Sequence, residues 1–133
     1  MWMAHEVPIL SPAEALQPEA VDNFMPARHA EMVAITVEKR RHTFAIRVRG
    51  DSMAASERDS FPDGAMLVVE PEMTPIPGDY VIASDLCGEV LFQQLVADNT
   101  GFLLKPLNSR YPTRPLGEHR LIGVVRETMK SFR

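Results

Sequence analysis

The sequence predicts one mostly β domain with a proline-rich N-terminal arm, and three observations lead to this prediction. Short runs of alternating apolar and polar residues recur along the chain, 11 prolines and 7 glycines separate them, and the length is 133 residues. A period of two is typical of half-buried strands, and frequent Pro and Gly interrupt long helices. A chain of this length suits a single compact domain.

The arm, residues 1–33, contains four prolines and no sustained periodicity. One helical turn is expected after Ser11, because serine can serve as an N-cap and Pro12 is tolerated at the first helical position. The strand patterns begin at Ala34. We therefore divide the chain into an arm or linker over residues 1–33 and a β domain over residues 34–133.

The β domain is expected to contain seven strands, separated by turns rich in Gly, Pro and Asx residues. In the second strand Phe44, Ile46 and Val48 alternate with Arg47 and Arg49, which is the pattern of a strand with one buried face. Short strands at this spacing favour an all-β or nearly all-β domain. The strands are expected at residues 34–37, 43–49, 65–69, 79–84, 89–96, 101–105 and 121–128.

Charge and composition exclude several function classes. The chain has 14 Lys and Arg against 18 Asp and Glu, a net charge of −4, so it is a poor candidate for binding nucleic acid by itself. No tract approaches the roughly 18 apolar residues of a membrane span. The single cysteine, Cys87, cannot form an internal disulfide and suits a reducing cytoplasm. Four scattered histidines with one cysteine make no metal-ligand cluster, so neither a metal nor a cofactor is expected.

The segment around Ser52 is the first motif that carries chemistry. It reads Gly-Asp-Ser-Met over residues 50–53, and a glycine before the serine permits a turn that projects the hydroxyl outward. Taken alone, a serine in such a turn is more often a capping or turn residue. Five further segments follow in order: Phe-Pro-Asp-Gly over 61–64, Pro-Gly-Asp-Tyr-Val-Ile-Ala over 77–83, Glu-Val-Leu-Phe over 89–92, Leu-Lys-Pro-Leu-Asn over 104–108 together with Tyr-Pro over 111–112, and Ile-Gly-Val-Val over 122–125.

This succession resembles the C-terminal domain of the family that contains LexA, the phage CI repressors and the UmuD proteins, and the phage CI branch is nearest. Members of this S24 peptidase-like family are Ser/Lys peptidases that cut themselves, and the resemblance covers about residues 44–128. It implies a β fold of the β-clip type, a homodimer or higher oligomer, and cleavage of the N-terminal linker stimulated by RecA in the SOS response. DNA would be bound only through a separate DNA-binding domain.

The resemblance places the family's nucleophile at Ser52 and its general base, a lysine, at the position of Gln93. A serine hydroxyl needs a neighbouring base to take its proton, and a lysine can do so only when burial leaves it neutral. The amide oxygen of glutamine is too weakly basic for this role. The chain's lysines are Lys39, Lys105 and Lys130. It stays open whether Lys105 or Lys130 acts as the general base instead. The simpler interpretation is that each is a solvated surface lysine.

The second departure from the family concerns the linker. In phage repressors of this type the scissile bond is commonly Ala-Gly, in a linker that opens with a pattern like the Val-Pro-Ile-Leu-Ser at residues 7–11. Counting on from this pattern places Ala15 and Leu16 at the former cleavage site, where the bulk of leucine should hinder close approach of the nucleophile. An accidental match over five residues is the alternative. Loss of both the base and the scissile glycine indicates a degenerate autopeptidase, a pseudoenzyme that no longer cleaves itself.

The C-terminal run is expected to contribute to a dimer contact, as the resemblance implies. A strand over residues 121–125 at the edge of the sheet would have to be paired, covered or charged. The alternative is that every second residue faces inward and belongs to the core. The candidate interface residues are Leu121, Ile122, Val124, Val125, Met129 and Phe132.

Three hypotheses about function follow. The preferred one is a regulatory and oligomerisation domain of a LexA/CI-like, phage-type transcriptional repressor that has lost self-cleavage, with a second copy of itself as partner and an antirepressor or RecA as a further contact. The second is an active Ser-dependent autopeptidase with a non-standard base. The third is a UmuD-like accessory protein that binds a polymerase or another regulator. No membrane partner is expected.

Overall fold

The computed structural model describes residues 5–21, 31–50, 61 and 63–129. Within these ranges the chain forms nine strands and two short helical turns. The mostly β fold predicted from the sequence is confirmed. In chain order the elements are β1 (His5–Pro8), α1 (Pro12–Ala15), a 3-10 turn (Pro18–Ala20), β2 (Met32–Ile35), β3 (Phe44–Arg47), β4 (Met66–Glu70), β5 (Tyr80–Ser84), β6 (Val90–Asp98), β7 (Gly101–Lys105), β8 (Arg114–Pro115) and β9 (Arg120–Met129).

Seven of the described strands form one antiparallel sheet, the main sheet, in the order β3-β4-β9-β5-β6-β7-β8. Each of the seven predicted strand segments falls on a strand of the structure, with ends that differ by at most two residues. The structure adds β8, which was not among the expected strands and which pairs with Leu103 and Leu104 of β7. A strand of two residues is too short to produce an alternating pattern, so the sequence could not reveal it.

The expectation that the run from Leu121 to Val125 forms an edge strand is wrong. These residues belong to β9, which pairs with β4 on one side and with β5 on the other, so both of its backbone edges are satisfied inside the sheet. The side chains of Ile122 and Val124 are only 5% and 4% exposed. Ile122 and Val124 therefore fit the alternative interpretation, in which they belong to the core.

The arm packs on the main sheet in the described residues. Its strand β1 pairs with β2 to form a separate two-stranded antiparallel sheet. Val7 is fully buried, and the N–H of Leu10 donates to the carbonyl of Ala45 at 2.8 Å. The helical turn predicted after Ser11 is present as α1, with Ser11 as its N-cap. The sequence could not reveal β1, because its partner β2 lies about 25 residues further on and the pairing is non-local. The division at residue 33 stays a prediction.

The core lies on both faces of the main sheet. Alternate residues of the strands point to opposite faces, as the pleat requires, so Phe44 and Ala45 belong to different clusters. The largest cluster includes Leu10 and Ala15 of the arm. Phe61 packs edge-on against the ring of Phe92, with centroids 5.0 Å apart. This contact ties the chain just after residue 60 to β6, the strand that carries Gln93.

No helix in the described part of the chain is long and apolar enough to cross a membrane. The same residues contain no group of three or more His, Cys, Asp or Glu side chains arranged to hold a metal ion.

Candidate functional site

A cleft of about 570 Å³ opens beside β6. Three parts of the chain form its walls: the end of β3 with the residues after it, the start of β6, and the segment between β7 and β9. One proline of the arm, Pro12, also lines it. Its described lining residues are Pro12, Val48, Arg49, Gly50, Gly88, Glu89, Val90, Leu91, Phe92, Gln93, Leu104, Pro106, Tyr111, Pro112, Arg114 and His119.

Gln93 lies in this cleft, on a half-buried position of β6 that pairs with Val81 of β5. Ser52 lies outside the described residues. Gly50, two residues before it, lines the same cleft, and its N–H donates to the Oδ1 of Asp63 at 2.7 Å. Gly50 has a φ of +84°, a left-handed conformation that glycine adopts without strain. Gly50 and Gln93 therefore line the same cleft, and the pairing of Ser52 with Gln93 stays a prediction.

The two described lysines do not line the cleft. Lys105 pairs with Gln94 across the β6–β7 ladder, so the two side chains share one face of the sheet. Because successive residues of a strand point to opposite faces, Lys105 lies on the face opposite Gln93. Lys39 belongs to the loop between β2 and β3 and is absent from the cleft walls. Lys130 lies outside the described residues.

The predicted former cleavage site lies at the rim of the cleft. Ala15 is fully buried in the largest core cluster, and Leu16 packs against the same cluster. A Cβ atom built on Gly88, a wall residue, would lie 3.8 Å from Cδ1 of Leu16, an ordinary van der Waals distance. The guanidinium of Arg120 donates to the carbonyl of Leu16. Leu16 therefore lies beside Gly88, a residue of the cleft that Gln93 also lines, and the role of the Ala15–Leu16 bond as a former cleavage site stays a prediction.

The charged groups of the cleft are Arg49, Glu89 and Arg114, with His119 beside them. Nδ1 of His119 lies 2.8 Å from the carbonyl oxygen of Leu116, a distance at which that nitrogen donates. The carbonyl thus fixes the orientation of the imidazole ring.

The pKa shifts resolved among the described residues belong to groups outside the cleft. A hydrogen bond to Glu38 raises the pKa of the Arg40 guanidinium above its ordinary value. The hydroxyl and the N–H of Thr100 both donate to Asp98 and lower the pKa of that carboxyl group.

The described lining of the cleft contains no lysine that could act as general base. The amide group of Gln93 offers a carbonyl acceptor and two N–H donors. It can orient a neighbouring hydroxyl, and its oxygen cannot hold the proton of a serine that attacks a peptide.

Sequence reasoning missed the polar residues of the walls, among them Arg49, Arg114 and His119, and it missed the contact of Arg120 with Leu16. None of these residues belongs to a motif with a recognisable spacing. Their roles depend on pairings between distant segments, such as the 104 residues that separate Leu16 from Arg120.

Three of the six candidate interface residues are half-buried on β9. Leu121, Val125 and Met129 each pack against a different core cluster and keep part of their surface exposed. Phe132 lies outside the described residues. A dimer contact through these side chains stays a prediction.

Comparison with protein families identifies the scaffold that carries this cleft. The profile of the family described as Peptidase S24-like matches residues 8–126. The chain belongs to this family. The match includes α1, the β6 strand with Gln93, and most of β9, so both the candidate cleavage site and the cleft lie within the S24-like region.

Several curated proteins resemble this S24-like chain. The HTH-type transcriptional regulator for conjugative element SXT of Vibrio cholerae is 39% identical over 117 residues, which cover 86% of this chain and 54% of the regulator. Repressor protein C2 of Salmonella phage P22 is 39% identical over 92 residues, 68% of this chain and 43% of the repressor. The prophage repressor CohE of Escherichia coli (strain K12) is 41% identical over 87 residues, 62% of this chain and 37% of the repressor. The chain thus spans about half the length, or less, of these relatives.

Proposed function

We propose that this chain is the regulatory and oligomerisation domain of a LexA/CI-like transcriptional repressor, and that its self-cleavage has been lost. The relatives it resembles carry the names of repressors and of an HTH-type transcriptional regulator. Each of them is about twice as long as the matched region or longer. This difference in length supports the proposal that DNA is bound by a segment outside the matched region, which agrees with the net charge of −4.

The observation that carries the loss of cleavage is the position of Gln93 on the cleft wall. The resemblance predicts a lysine at this position, and a neutral lysine is what removes the proton from the attacking serine. Lys105, the nearest lysine along the β6–β7 ladder, points to the other face of the sheet. A base supplied by Lys105 would therefore require a rearrangement of the ladder.

Such a domain would act by joining two DNA-binding units. Two linked units gain affinity for paired half-sites through their effective concentration, without any new contact to DNA. We place this role in the cytoplasm, with a second copy of the chain as partner. An antirepressor or RecA is the candidate partner that would relieve repression.

A second candidate function is retained because Ser52 is present in its Gly-Asp-Ser-Met motif. An autopeptidase with a non-standard base, or with a base provided by another molecule, would preserve this serine. A UmuD-like accessory protein that binds a polymerase or another regulator is the third. Purification of the protein from its native cell distinguishes a UmuD-like accessory protein from a repressor, because an accessory protein copurifies with its polymerase or regulator.

The decisive experiment is incubation of the purified chain with activated RecA, and separately at alkaline pH. We expect the chain to stay whole over the time in which an active phage repressor of this type is cut. The matched control is Ser52→Ala, which removes the candidate nucleophile. A fragment cut near Ala15 that appears in the unmodified chain and is absent from Ser52→Ala would establish an active autopeptidase instead.

A further inference from the structure

The peptide between Ala15 and Leu16 is helical in this structure. The N–H of Ala15 donates to the carbonyl of Ser11 at 2.9 Å, and Leu16 has φ −63° and ψ −27°. The side chain of Ala15 is completely buried. An attacking group would have to approach a carbonyl that is folded into a turn and packed against the core. Cleavage at this bond therefore requires local opening of the arm.

A helix of four residues has too few internal hydrogen bonds to be stable by itself. At its N-terminal end α1 is held by a reciprocal capping box. The N–H of Glu14 donates to Oγ of Ser11 at 3.2 Å, and the N–H of Ser11 donates to Oε1 of Glu14 at 2.9 Å. The last carbonyls of a helix have no partner within it and need one from elsewhere.

Arg120 supplies that partner from the first position of β9. Its guanidinium donates to the carbonyl of Leu16, across a separation of 104 residues. Basic side chains at helix C-termini satisfy free carbonyls in this way and oppose their partial negative charge. β9 pairs with β4 and β5 inside the main sheet, so the arginine extends from a rigid support.

We propose that Arg120 is a positioning residue that clamps the Ala15–Leu16 peptide in its helical form and holds the arm against the rim of the cleft. Leu16 then stays packed beside the turn at Gly88, one of the cleft walls. The clamp protects the peptide from any protease, including an external one. The inference about Arg120 rests on the proposed function only where it treats the Ala15–Leu16 bond as the former cleavage site.

The effect of removing the clamp is expected to be local. Upstream of α1 the arm keeps its own anchors, namely the buried side chain of Val7 and the bond from Leu10 to Ala45. The amides that report on the clamp are those of Ala15 and Gln17, which donate to Ser11 and Glu14 within the turn. The amide of Leu10 serves as an internal reference for the rest of the arm.

Amide hydrogen exchange of the whole chain tests the clamp. In Arg120→Ala we expect the amides of Ala15 and Gln17 to exchange about tenfold faster, which corresponds to the loss of one charge-assisted hydrogen bond. Arg120→Lys keeps a charged donor and should recover part of the protection. Arg126→Ala removes another exposed arginine of β9 and should leave both amides unchanged. Unaltered exchange in Arg120→Ala, or equal acceleration in Arg126→Ala, overturns the clamp.

A third Arg120 variant tests whether the effect comes only from disturbing the end of β9. Arg120→Gln keeps most of the side-chain stem and a neutral donor, so it should accelerate exchange at Ala15 less than Arg120→Ala does. If the amide of Leu10 accelerates to the same extent as that of Ala15 in all three Arg120 variants, the whole arm is released and the local clamp is wrong.

The same variants separate this inference from the proposed function. If Arg120→Ala accelerates exchange at Ala15 and Gln17 but not at Leu10, and the chain stays whole, both the clamp and the loss of cleavage are supported. If the locally freed turn is cut near Ala15 and addition of Ser52→Ala abolishes the cut, the clamp is supported and the loss of cleavage is wrong. If exchange is unaltered and the chain stays whole, only the clamp fails.

Discussion

The hydroxyl of Thr43 donates a 2.6 Å hydrogen bond to Oε1 of Glu70, and each side chain is only 1% exposed. The other carboxyl oxygen of Glu70 accepts from the N–H of Glu72 at 2.9 Å. A buried carboxyl group is tolerated only when its oxygens have partners. This pair joins the residue before β3 to the last residue of β4, at the end of the β3–β4 ladder opposite the connection between the two strands.

Replacement of Thr43 by valine should lower the free energy of unfolding by about 1–3 kcal/mol. The methyl group cannot donate, so Oε1 of Glu70 loses its partner while it remains buried. Thr113→Val is the matched control, because Thr113 is exposed and its replacement should change stability by less than about 0.5 kcal/mol. Urea denaturation of both variants measures the difference. Equal stabilities of the two variants would contradict the role of this bond.

Gly123 is expected to tolerate no side chain. A Cβ atom built there would lie 2.7 Å from Cγ1 of Val69 and 3.0 Å from the carbonyl oxygen of Glu70. The oxygen belongs to the backbone of β4 and cannot move without disturbing the β4–β9 ladder. We predict that Gly123→Ala lowers the free energy of unfolding by about 1–3 kcal/mol. Thermal denaturation checks this, and an unchanged midpoint would show that the strands can separate without cost.

Ile122 should behave as a core residue and not as an interface residue. Its side chain is 5% exposed in the largest cluster, so Ile122→Ala should cost about 2–5 kcal/mol of stability. Sedimentation of the variant, at a temperature where it stays folded, should give the same association constant as the unmodified chain. A loss of association with unaltered stability would restore Ile122 to the predicted dimer contact.

The turn between β6 and β7 should depend on pH through Asp98. Its pKa is lowered because the hydroxyl of Thr100 at 2.6 Å and the N–H of Thr100 at 2.8 Å donate to its carboxylate. The stabilisation is therefore complete above the ordinary Asp pKa of about 3.9 and is lost as the pH falls through the lower, folded-state value. A titration followed by NMR should give a midpoint for Asp98 below 3.9.

Asp98→Asn is the control for this titration, because an amide oxygen can accept from Thr100 but does not titrate in this range. The protection factor of the Thr100 amide, which is its exchange rate relative to an unstructured amide at the same pH, should show no step near the Asp98 midpoint in this variant. A normal or raised midpoint for Asp98 in the unmodified chain would contradict the prediction.

Local chemistry accounts for what could be predicted from the sequence. The alternation around Phe44 revealed β3, and Ser11 followed by Pro12 revealed α1, because both signals depend on neighbouring residues. The central position of β9 and the contact of Arg120 with Leu16 depend on which segments meet in space. No pattern within β9 distinguishes a strand paired on one side from a strand paired on both, so the edge prediction failed.

For the candidate site, as for the fold, the sequence indicated the parts that depend on local signals. The resemblance singled out Gln93, which lines the same cleft as Gly50, and a catalytic position for this residue stays a prediction. The helical state of the Ala15–Leu16 peptide was only partly indicated, because the N-cap at Ser11 is local and the Arg120 contact is not. Among the wall residues between β7 and β9, Pro106, Tyr111 and Pro112 belong to family-like segments of the sequence, whereas Arg114 and His119 had no local signal.

The place of β9 in the sheet also has a consequence for the order of folding. Strands β3 and β4 form one hairpin-like unit and β5 to β8 form another, and among the described strands only β9 joins the two. A chain emerging from the ribosome therefore holds two incomplete half-sheets until residues 120–129 have been made and β9 inserts between them. Non-local pairing of this kind slows folding and leaves open strand edges exposed during synthesis. Insertion of β9 therefore completes the main sheet and at the same time brings Arg120 into contact with the arm.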